Sequence, residues 1–288
     1  MTLREAQELG SVRLRESGIE EASTDAWLLL EFVSKVSRAM YFADSQKVLT
    51  SEQEALYLQY IEKRAARIPL QHLTGVQEFM GLEFMVSSKV LIPRQDTETL
   101  VETALDVLKL REPAKASVQL LDLCTGSGCI LLSISHYAAE AGYQDICGTG
   151  TDISPEALEV AKENAQKLGI KAEFIQSNLF GSLIGMYDMI VSNPPYIRTS
   201  EIEVLQDEVR DHDPYLALDG KDDGLYFYRE IIRECGSYLK ADGILIFEIG
   251  CTQAEDVMAM MAEEGLKHIE VKKDLTGLDR VVSGMYDR

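Results

Sequence analysis

The sequence predicts an α/β protein in which a doubly wound, mostly parallel sheet follows a small helical bundle. Three observations point there. From Val118 onward, apolar strand-like runs alternate with helical segments, the pattern of a parallel sheet covered on both faces. The first 75 residues read as helices instead. The net charge of −20 is also split unevenly: nine Lys and Arg oppose eleven Asp and Glu in residues 1–75, but 19 oppose 37 in the remainder, which marks two modules.

The first helix, in "TLREAQELGSVRLRESG", opens with a capping box from Thr2 to Glu5 and closes at Gly18. "STDAWLLLEFVSKVS" supplies a second apolar segment. "TSEQEALYLQYIEKRAARIP" is expected to start with a box from Ser51 to Glu54, to carry Leu58, Ile61 and Ala65 on one face, and to stop at Pro69. Residues 1–75 thus make a helical domain that either supports its neighbour or docks a partner. "VQEFMGLEFMVSSKVLIPR" places β-type residues on both sides of Gly81 and reads as a hairpin linker over 76–93. The remaining domain, 94–288, begins with "DTETLVETALDVLKL", a helix capped by Asp96 with Val101, Ala104, Leu105 and Leu108 on its apolar face. "REPAKAS" is a loop.

The strands that follow are "VQLLDL", "DICGTGT", "AEFIQS", "YDMIVS" and "GILIFEI", with helices near 128–141, 155–168, 224–239 and 253–264. "HIEVKKDL" and "DRVVSGMY" are separated only by "TGL", too short for a helical crossover, so the last strand is antiparallel. A doubly wound sheet takes ligands beyond the carboxyl ends of its strands. The functional loops belong on that rim.

Composition excludes several classes. A surface this acidic repels phosphate backbones, so nucleic acid is a disfavoured partner. Cys124, Cys129, Cys147, Cys235 and Cys251 are odd in number and lack a C-x-x-C pair, which argues for reduced thiols in the cytoplasm rather than zinc or disulfides. His72, His136, His212 and His268 are scattered without metal spacing, and the acidic run "DEVRDHDP" reads as a solvated helix end. The start of the chain has acidic residues where a signal peptide needs an apolar core, and no run approaches membrane-spanning length.

On the rim, "LLDLCTGSGCILLSIS" is a strand, a small-residue loop and a helix. Gly126 and Gly128 let backbone approach a ligand, and the helix start presents free N–H groups. A dinucleotide fingerprint wants glycine at 131, where this chain has Leu131. With Asp122 ahead of it, the stretch Cys124, Thr125, Gly126, Ser127 and Gly128 fits instead the loop that holds the amino-acid part and ribose of S-adenosylmethionine. A plain βα turn is the alternative. Asp152 ends the second strand, where an acid accepts both hydroxyls of a ribose, and Ser154 leaves it free by capping the next helix. Asn178 and Leu179 in "QSNLF" either meet an adenine edge and face or serve as turn and core residues.

"SNPPY" ends the fourth strand. Pro194 and Pro195 lack a backbone donor and have fixed φ, so they end the ladder, and taken alone they form only a stiff turn. On this rim, Asn193 and the Pro194 carbonyl can accept both hydrogens of one planar NH₂ group while Tyr196 stacks on its face. An amide nitrogen has a delocalised lone pair and is a poor nucleophile. Acceptors on its hydrogens stabilise the positive charge that grows as it attacks a sulfonium methyl, and prolines set the geometry in advance.

With these residues in view, the chain resembles the peptide chain release factor glutamine N5-methyltransferase family, also called the HemK family. "PLQHLTGVQEF", "VLIPRQDTETLVE", "LDLCTGSGCI", "DISPEALEVAKENA", "SNPPYI" and "LTGLDRVV" fall in that family's order. The resemblance implies a Rossmann-like S-adenosylmethionine-dependent methyltransferase sheet in which Thr125 to Gly128 and Asp152 bind the donor, with Cys124, Asn178, Leu179 and Asn193 as further cofactor contacts and S-adenosylhomocysteine as product. It implies that Asn193, Pro194, Pro195 and Tyr196 grip the glutamine of a Gly-Gly-Gln tripeptide in a release factor. Cys124 stands where the family often has glycine, Gln95 where proline is frequent, and Asn178 where aspartate is common. The expected protein is a cytoplasmic monomer that needs no metal, membrane or nucleic acid. Two other readings share these residues: an adenine-N6 methyltransferase of DNA or RNA, and a non-catalytic module that only binds S-adenosylmethionine.

Overall fold

Reciprocal capping starts the chain: the Thr2 hydroxyl accepts from the Glu5 amide while the Glu5 carboxylate accepts from the Thr2 amide, and α1 (Leu3–Glu16) follows. The computed structural model describes residues 1–110, 117–143 and 146–287. Residues 111–116 of the loop expected in "REPAKAS", and Asp145 at the head of "DICGTGT", lie outside the described residues. The chain divides into two compact units, Met1–Val76 with Gln206–His212, and Gln77–Leu205 with the residues from Asp213 on.

In the first unit α1 is joined by α2 (Ala22–Ser34), α3 (Arg38–Ala43), α4 (Ser51–Ala65) and α5 (Leu70–Thr74). The box that opens α4 lies one residue earlier than Ser51 and Glu54: Thr50 and Gln53 exchange the two capping hydrogen bonds. Both pairs fit the capping pattern, but Glu54 is engaged by the N-terminal ammonium of Met1. The buried stripe of α4 is correspondingly Tyr57, Ile61 and Arg64, and Leu58 and Ala65 are only half-buried. Tyr57 donates its hydroxyl to the carbonyls of Ala6 at 3.0 Å and Ala26 at 3.3 Å, which ties α4 to α1 and α2. Arg64 bonds Asp25 at 2.7 Å, both side chains nearly buried, and also Glu208 at 3.1 Å. Arg67 reaches the same Glu208 oxygen at 3.2 Å. The acidic run expected to be a solvated helix end is thus anchored by two arginines in the helical unit.

The second unit begins at Gln77, inside the hairpin of β1 (Val76–Phe79) and β2 (Leu82–Met85), which turns through Met80 and Gly81 at φ 52° and 69°. A 3-10 turn at Gln95–Thr97 precedes α6 (Glu98–Lys109). Asp96 does not cap this helix; it sits inside the turn, with its carboxylate 3.2 Å from Arg280. Alternation then runs β3 (Val118–Leu123), α7 (Cys129–Glu140), β4 (Ile146–Asp152), α8 (Pro155–Leu168), β5 (Ala172–Gln176) and β6 (Tyr187–Ser192). After a 3-10 segment at Thr199–Val204 and α9 (Asp207–His212), which belongs to the first unit, come α10 (Tyr215–Leu218), α11 (Tyr226–Cys235), β7 (Leu239–Glu248), α12 (Ala254–Glu263), β8 (Leu266–Lys273) and β9 (Asp279–Tyr286). Against the expected span of 224–239, α11 is shorter at both ends, because the chain is already paired in the sheet at Leu239, opposite Tyr187.

The sheet has seven strands in the order β5-β4-β3-β6-β7-β9-β8, parallel from β5 to β7. The antiparallel strand β9 does not lie at the edge; it inserts between β7 and β8 and pairs antiparallel with each. Period-two alternation divides the core. Leu120, Met189, Val191, Ile244 and Ile246 pack with α6 and α7 on one face, while Leu121, Leu123, Ile190, Leu245 and Phe247 pack with α11 and α12 on the other. Sheet order changes direction between β3 and β6, so a crevice opens beyond their carboxyl ends.

Gly10, in the middle of α1, tests the helical core. In an exposed helix Gly→Ala gains up to about 1 kcal/mol. Here an added Cβ would fall 2.0 Å from the buried Tyr57 hydroxyl oxygen. Gly10→Ala is expected to reverse the usual sign and destabilise by about 1–3 kcal/mol, read as a lower urea midpoint; an unchanged or higher midpoint contradicts the packing.

Candidate active site

Beyond β3 and β6 lies a cavity of about 660 Å³, the size that suits a drug-sized ligand. Its walls include Cys124, Thr125, Gly126, Ser127, Asp152, Asn178, Leu179, Asn193 and Pro195, nine of the residues singled out in the sequence. Gly128, Pro194 and Tyr196 are not on the wall. Gly128 sits at the start of α7 with φ 79°, where a Cβ would press on Ala161 and Leu132 at 3.3 Å; its absent side chain serves helix packing.

The glycine loop is held from below. Thr125 donates its amide to the Thr151 carbonyl at 2.8 Å and its hydroxyl to Asp122 at 2.5 Å. Gly126 has φ 54°, and a Cβ built there would meet nothing within 4 Å, so the backbone opens directly onto the cavity. Asp152 is less free than the sequence suggested: one oxygen accepts from the Gly126 amide at 3.0 Å and the other from the Ser154 amide at 2.9 Å. Each oxygen retains a second lone pair. Ser154 caps α8 as expected, accepting from the Ala157 amide.

The electrostatics are those of a site for a polar, positively charged ligand. Asp122 is fully buried, one of its oxygens has no hydrogen-bond partner, and burial pushes its carboxyl up to about 7. Burial also raises Asp152, against the pull of the Ser154 and Gly126 amides. Asp152 on the wall with Asp122 buried behind it, a glycine cradle and apolar walls at Val90, Leu91, Ile130 and Leu179 match the parts of S-adenosylmethionine: a cationic centre, a diol and a flat base. Among the described residues no group of three or more His, Cys, Asp or Glu is placed to hold a metal ion.

The elbow after β6 is clamped from behind by residues that sequence reasoning missed. Gln253 donates to the carbonyls of Tyr196 at 3.1 Å and Gly224 at 3.2 Å, while its amide oxygen accepts from the Gly250 amide at 2.9 Å. Gly220 and Gly224 lie so close that a Cβ on either would come within 2.7 or 2.5 Å of the Tyr196 backbone. Two glycines four apart in "DGKDDG" were the signal for such close approach. Tyr196 is half-buried and is not on the cavity wall, and its hydroxyl donates to Glu248 at 3.3 Å. Glu248 itself, a charge at the end of the apolar run "GILIFE" and only 2% exposed, was detectable by that contrast.

Residues 5–75 match the family model described as PrmC N-terminal domain, and residues 98–222 the one described as Methyltransferase small domain. The release factor glutamine methyltransferase of Agrobacterium fabrum is 40% identical over 273 residues, covering 94% of this chain and 93% of that protein. The protein of the same name from Geobacter sulfurreducens is 40% identical over 272 residues, 94% and 92% of the two chains. This chain belongs to the release factor glutamine methyltransferase family. A methyltransferase structure from Pyrococcus furiosus, 16% identical, covers 83% of this chain and 100% of its own at a TM-score of 0.50 and is alike in fold.

Within the release factor glutamine methyltransferase family this member carries a non-glycine residue in left-handed conformation at the start of its loop: Cys124 has φ 58°. Leu179, on the same cavity, has φ 49°. Part of the chain's backbone strain is therefore held on the cavity wall. The buried acid makes a pH-dependent prediction. Since Asp122 titrates near 7 in the fold and near 3.8 unfolded, the native state holds the extra proton between those values. Stability attributable to this group falls as pH rises through that window. Asp122→Asn should accordingly raise Tm relative to the parent more at pH 8 than at pH 4, by about 2–4 °C for each kcal/mol relieved; equal effects at both pH values refute it. Gly220→Ala should move the elbow and lower the urea midpoint, a cost of about 1–3 kcal/mol.

Proposed function

We propose that this chain transfers a methyl group from S-adenosylmethionine to the side-chain amide nitrogen, N5, of the glutamine in the Gly-Gly-Gln motif of peptide chain release factors. The observation that carries this is the placement of Asn193 and Pro195 on the wall of one cavity with the Cys124–Ser127 loop, at the point where the sheet reverses direction. Near-full-length identity of 40% to proteins named for that reaction supports it.

Thr125, Gly126 and Ser127 cradle the amino-acid part of the donor, Asp152 accepts from its ribose hydroxyls with the lone pairs left by Gly126 and Ser154, and Asn178 and Leu179 border the base. The bound donor supplies an electrophilic methyl on a sulfonium. Asn193 and the Pro194 carbonyl accept the two hydrogens of the glutamine amide, draw its lone pair out of conjugation and orient the nitrogen. Pro195 keeps the elbow rigid. Tyr196 steadies it from behind through Glu248 and Gln253 rather than stacking on the amide. The methylated nitrogen is strongly acidic and loses its proton to water, so no general base is required. In this reading the helical unit docks the release factor, and the chain acts as a cytoplasmic monomer without metal or nucleic acid, in keeping with its charge of −20.

Asn193→Ala is expected to lower incorporation of labelled methyl into release factor by on the order of 10²–10³-fold while cofactor affinity measured by calorimetry stays within about twofold. Full turnover in that variant refutes the proposed grip.

A further inference from the structure

One side chain ties together two stretches of the cavity wall without lying on the wall itself. α8 buries Ala157, Leu158, Val160, Ala161, Asn164 and Ala165, so Asn164 is the one amide on an otherwise apolar face, and it is fully buried. Asparagine is a weak helix former, and its amide is costly to bury without partners. Its bonds account for its presence. Asn164 Oδ1 accepts from the Met85 amide at 2.6 Å, while Nδ2 donates to the Met85 carbonyl at 3.0 Å and to the Ser127 carbonyl at 2.9 Å. Both of its N–H groups are used. The partners fix which end of the amide is which, since a flipped group would set NH₂ against an N–H and oxygen against two carbonyls.

The two carbonyls belong to separate parts of the site. Ser127 closes the glycine stretch from which Cys124, Thr125, Gly126 and Ser127 line the cavity. Met85 ends β2 and leads into a strap, residues 86–94, from which Ser88, Lys89, Val90 and Leu91 line it. Neither Asn164 nor Met85 is on the wall. The strap leans on the same helix, with Val86 and Val90 packed with Ala157 and Val160 in the turns before Asn164. Gly128, just beyond the loop, fits closely against Ala161, one turn before it.

We infer that Asn164 is a positioning residue that joins the strap to the glycine loop, so that these two stretches of wall keep one spacing for the donor and adjust to it together. This coupling rests on the reading above that the cavity takes S-adenosylmethionine. The amide satisfies the N–H and C=O of Met85 at once, as a neighbouring strand would, and its second N–H carries the tie on to the loop. Without it, strap and loop move independently. Donor affinity then reports the fraction of molecules that keep the competent spacing, and bound donor restores that spacing.

Calorimetry with S-adenosylhomocysteine, together with transfer of labelled methyl to release factor, tests the coupling. Asn164→Asp keeps the shape and an acceptor for Met85 but lacks both N–H donors, and Asn164→Leu keeps the branched shape with none of the bonds. Each should weaken S-adenosylhomocysteine binding on the order of tenfold, as the competent arrangement falls to about a tenth of the population. Each should also keep kcat at saturating donor within about threefold of the parent. A residue that only fills the core would move the urea midpoint and leave that affinity alone. In the parent, S-adenosylhomocysteine should slow hydrogen exchange at the Met85 amide, off the wall, together with the Gly126 and Gly128 amides. Parent-like affinity in both variants, or a Met85 amide indifferent to the ligand, overturns the coupling. If the parent binds no S-adenosylhomocysteine, the cofactor reading fails by itself. Exchange in the free protein then decides the coupling: the Met85 and Gly128 amides should open with one common protection and lose it together in Asn164→Leu, and independent opening overturns it.

Discussion

Where β3 and β6 end side by side, the Ser192 hydroxyl donates to the Leu123 carbonyl at 2.7 Å in a fully buried bond, with the two residues opposite each other in the parallel register. Everything at the site depends on that seam. The glycine loop leaves from Leu123 and the elbow from Ser192, so one hydrogen bond and a two-strand register set their separation. A slip of one residue would send every side chain of the strand to the opposite face. The alternation of Leu120 against Leu121 and Val191 against Ile190 between two cores makes such a slip prohibitive.

The site is expensive for the fold. Asp122, Asp152 and Glu248 are withdrawn from water and all pushed toward their neutral forms, and Cys124, Leu179 and Lys221 hold left-handed backbone around the same cavity. Each is tolerated because neighbours over-determine it: Thr125 on Asp122, two backbone amides on Asp152, and Tyr196 on Glu248. A ligand that brings positive charge and hydroxyl donors relieves part of this burden, which is the physical sense in which the arrangement is complementary to a sulfonium nucleoside. The helical unit shows the contrast. Its buried charges, Asp25 and Arg64, are already paired with each other.

Much of the site was readable from local pattern. Glycines that the backbone needs at Gly126 and Gly128, an acid at a strand end and a double proline after an apolar run are short-range signals, and Asp152, Asn193 and Pro195 do meet on one cavity. What failed was any reading that needed to know a distant partner. Ser51 and Glu54 satisfy a capping pattern as well as Thr50 and Gln53 do, and the choice goes with an ammonium about fifty residues away in sequence. Asp96 looks like a cap until Arg280 takes it, and no local pattern announces that Glu248 holds the Tyr196 hydroxyl.

By itself, then, the sequence determined the longer helices, most strands and the loops that carry chemistry, because periodicity, caps and chain-breaking residues act within a few positions; the short helices α3, α5 and α10 were not among them. It also determined that the last strand runs antiparallel, since its connection is short. Only the tertiary structure decided that β9 enters between β7 and β8, that Glu208 joins the helical unit, and that Glu248 and Gln253 stand behind the elbow. Those outcomes depend on contacts between residues far apart in the chain, where the free energy of burial and pairing, rather than local propensity, selects one arrangement among several that the same local pattern allows.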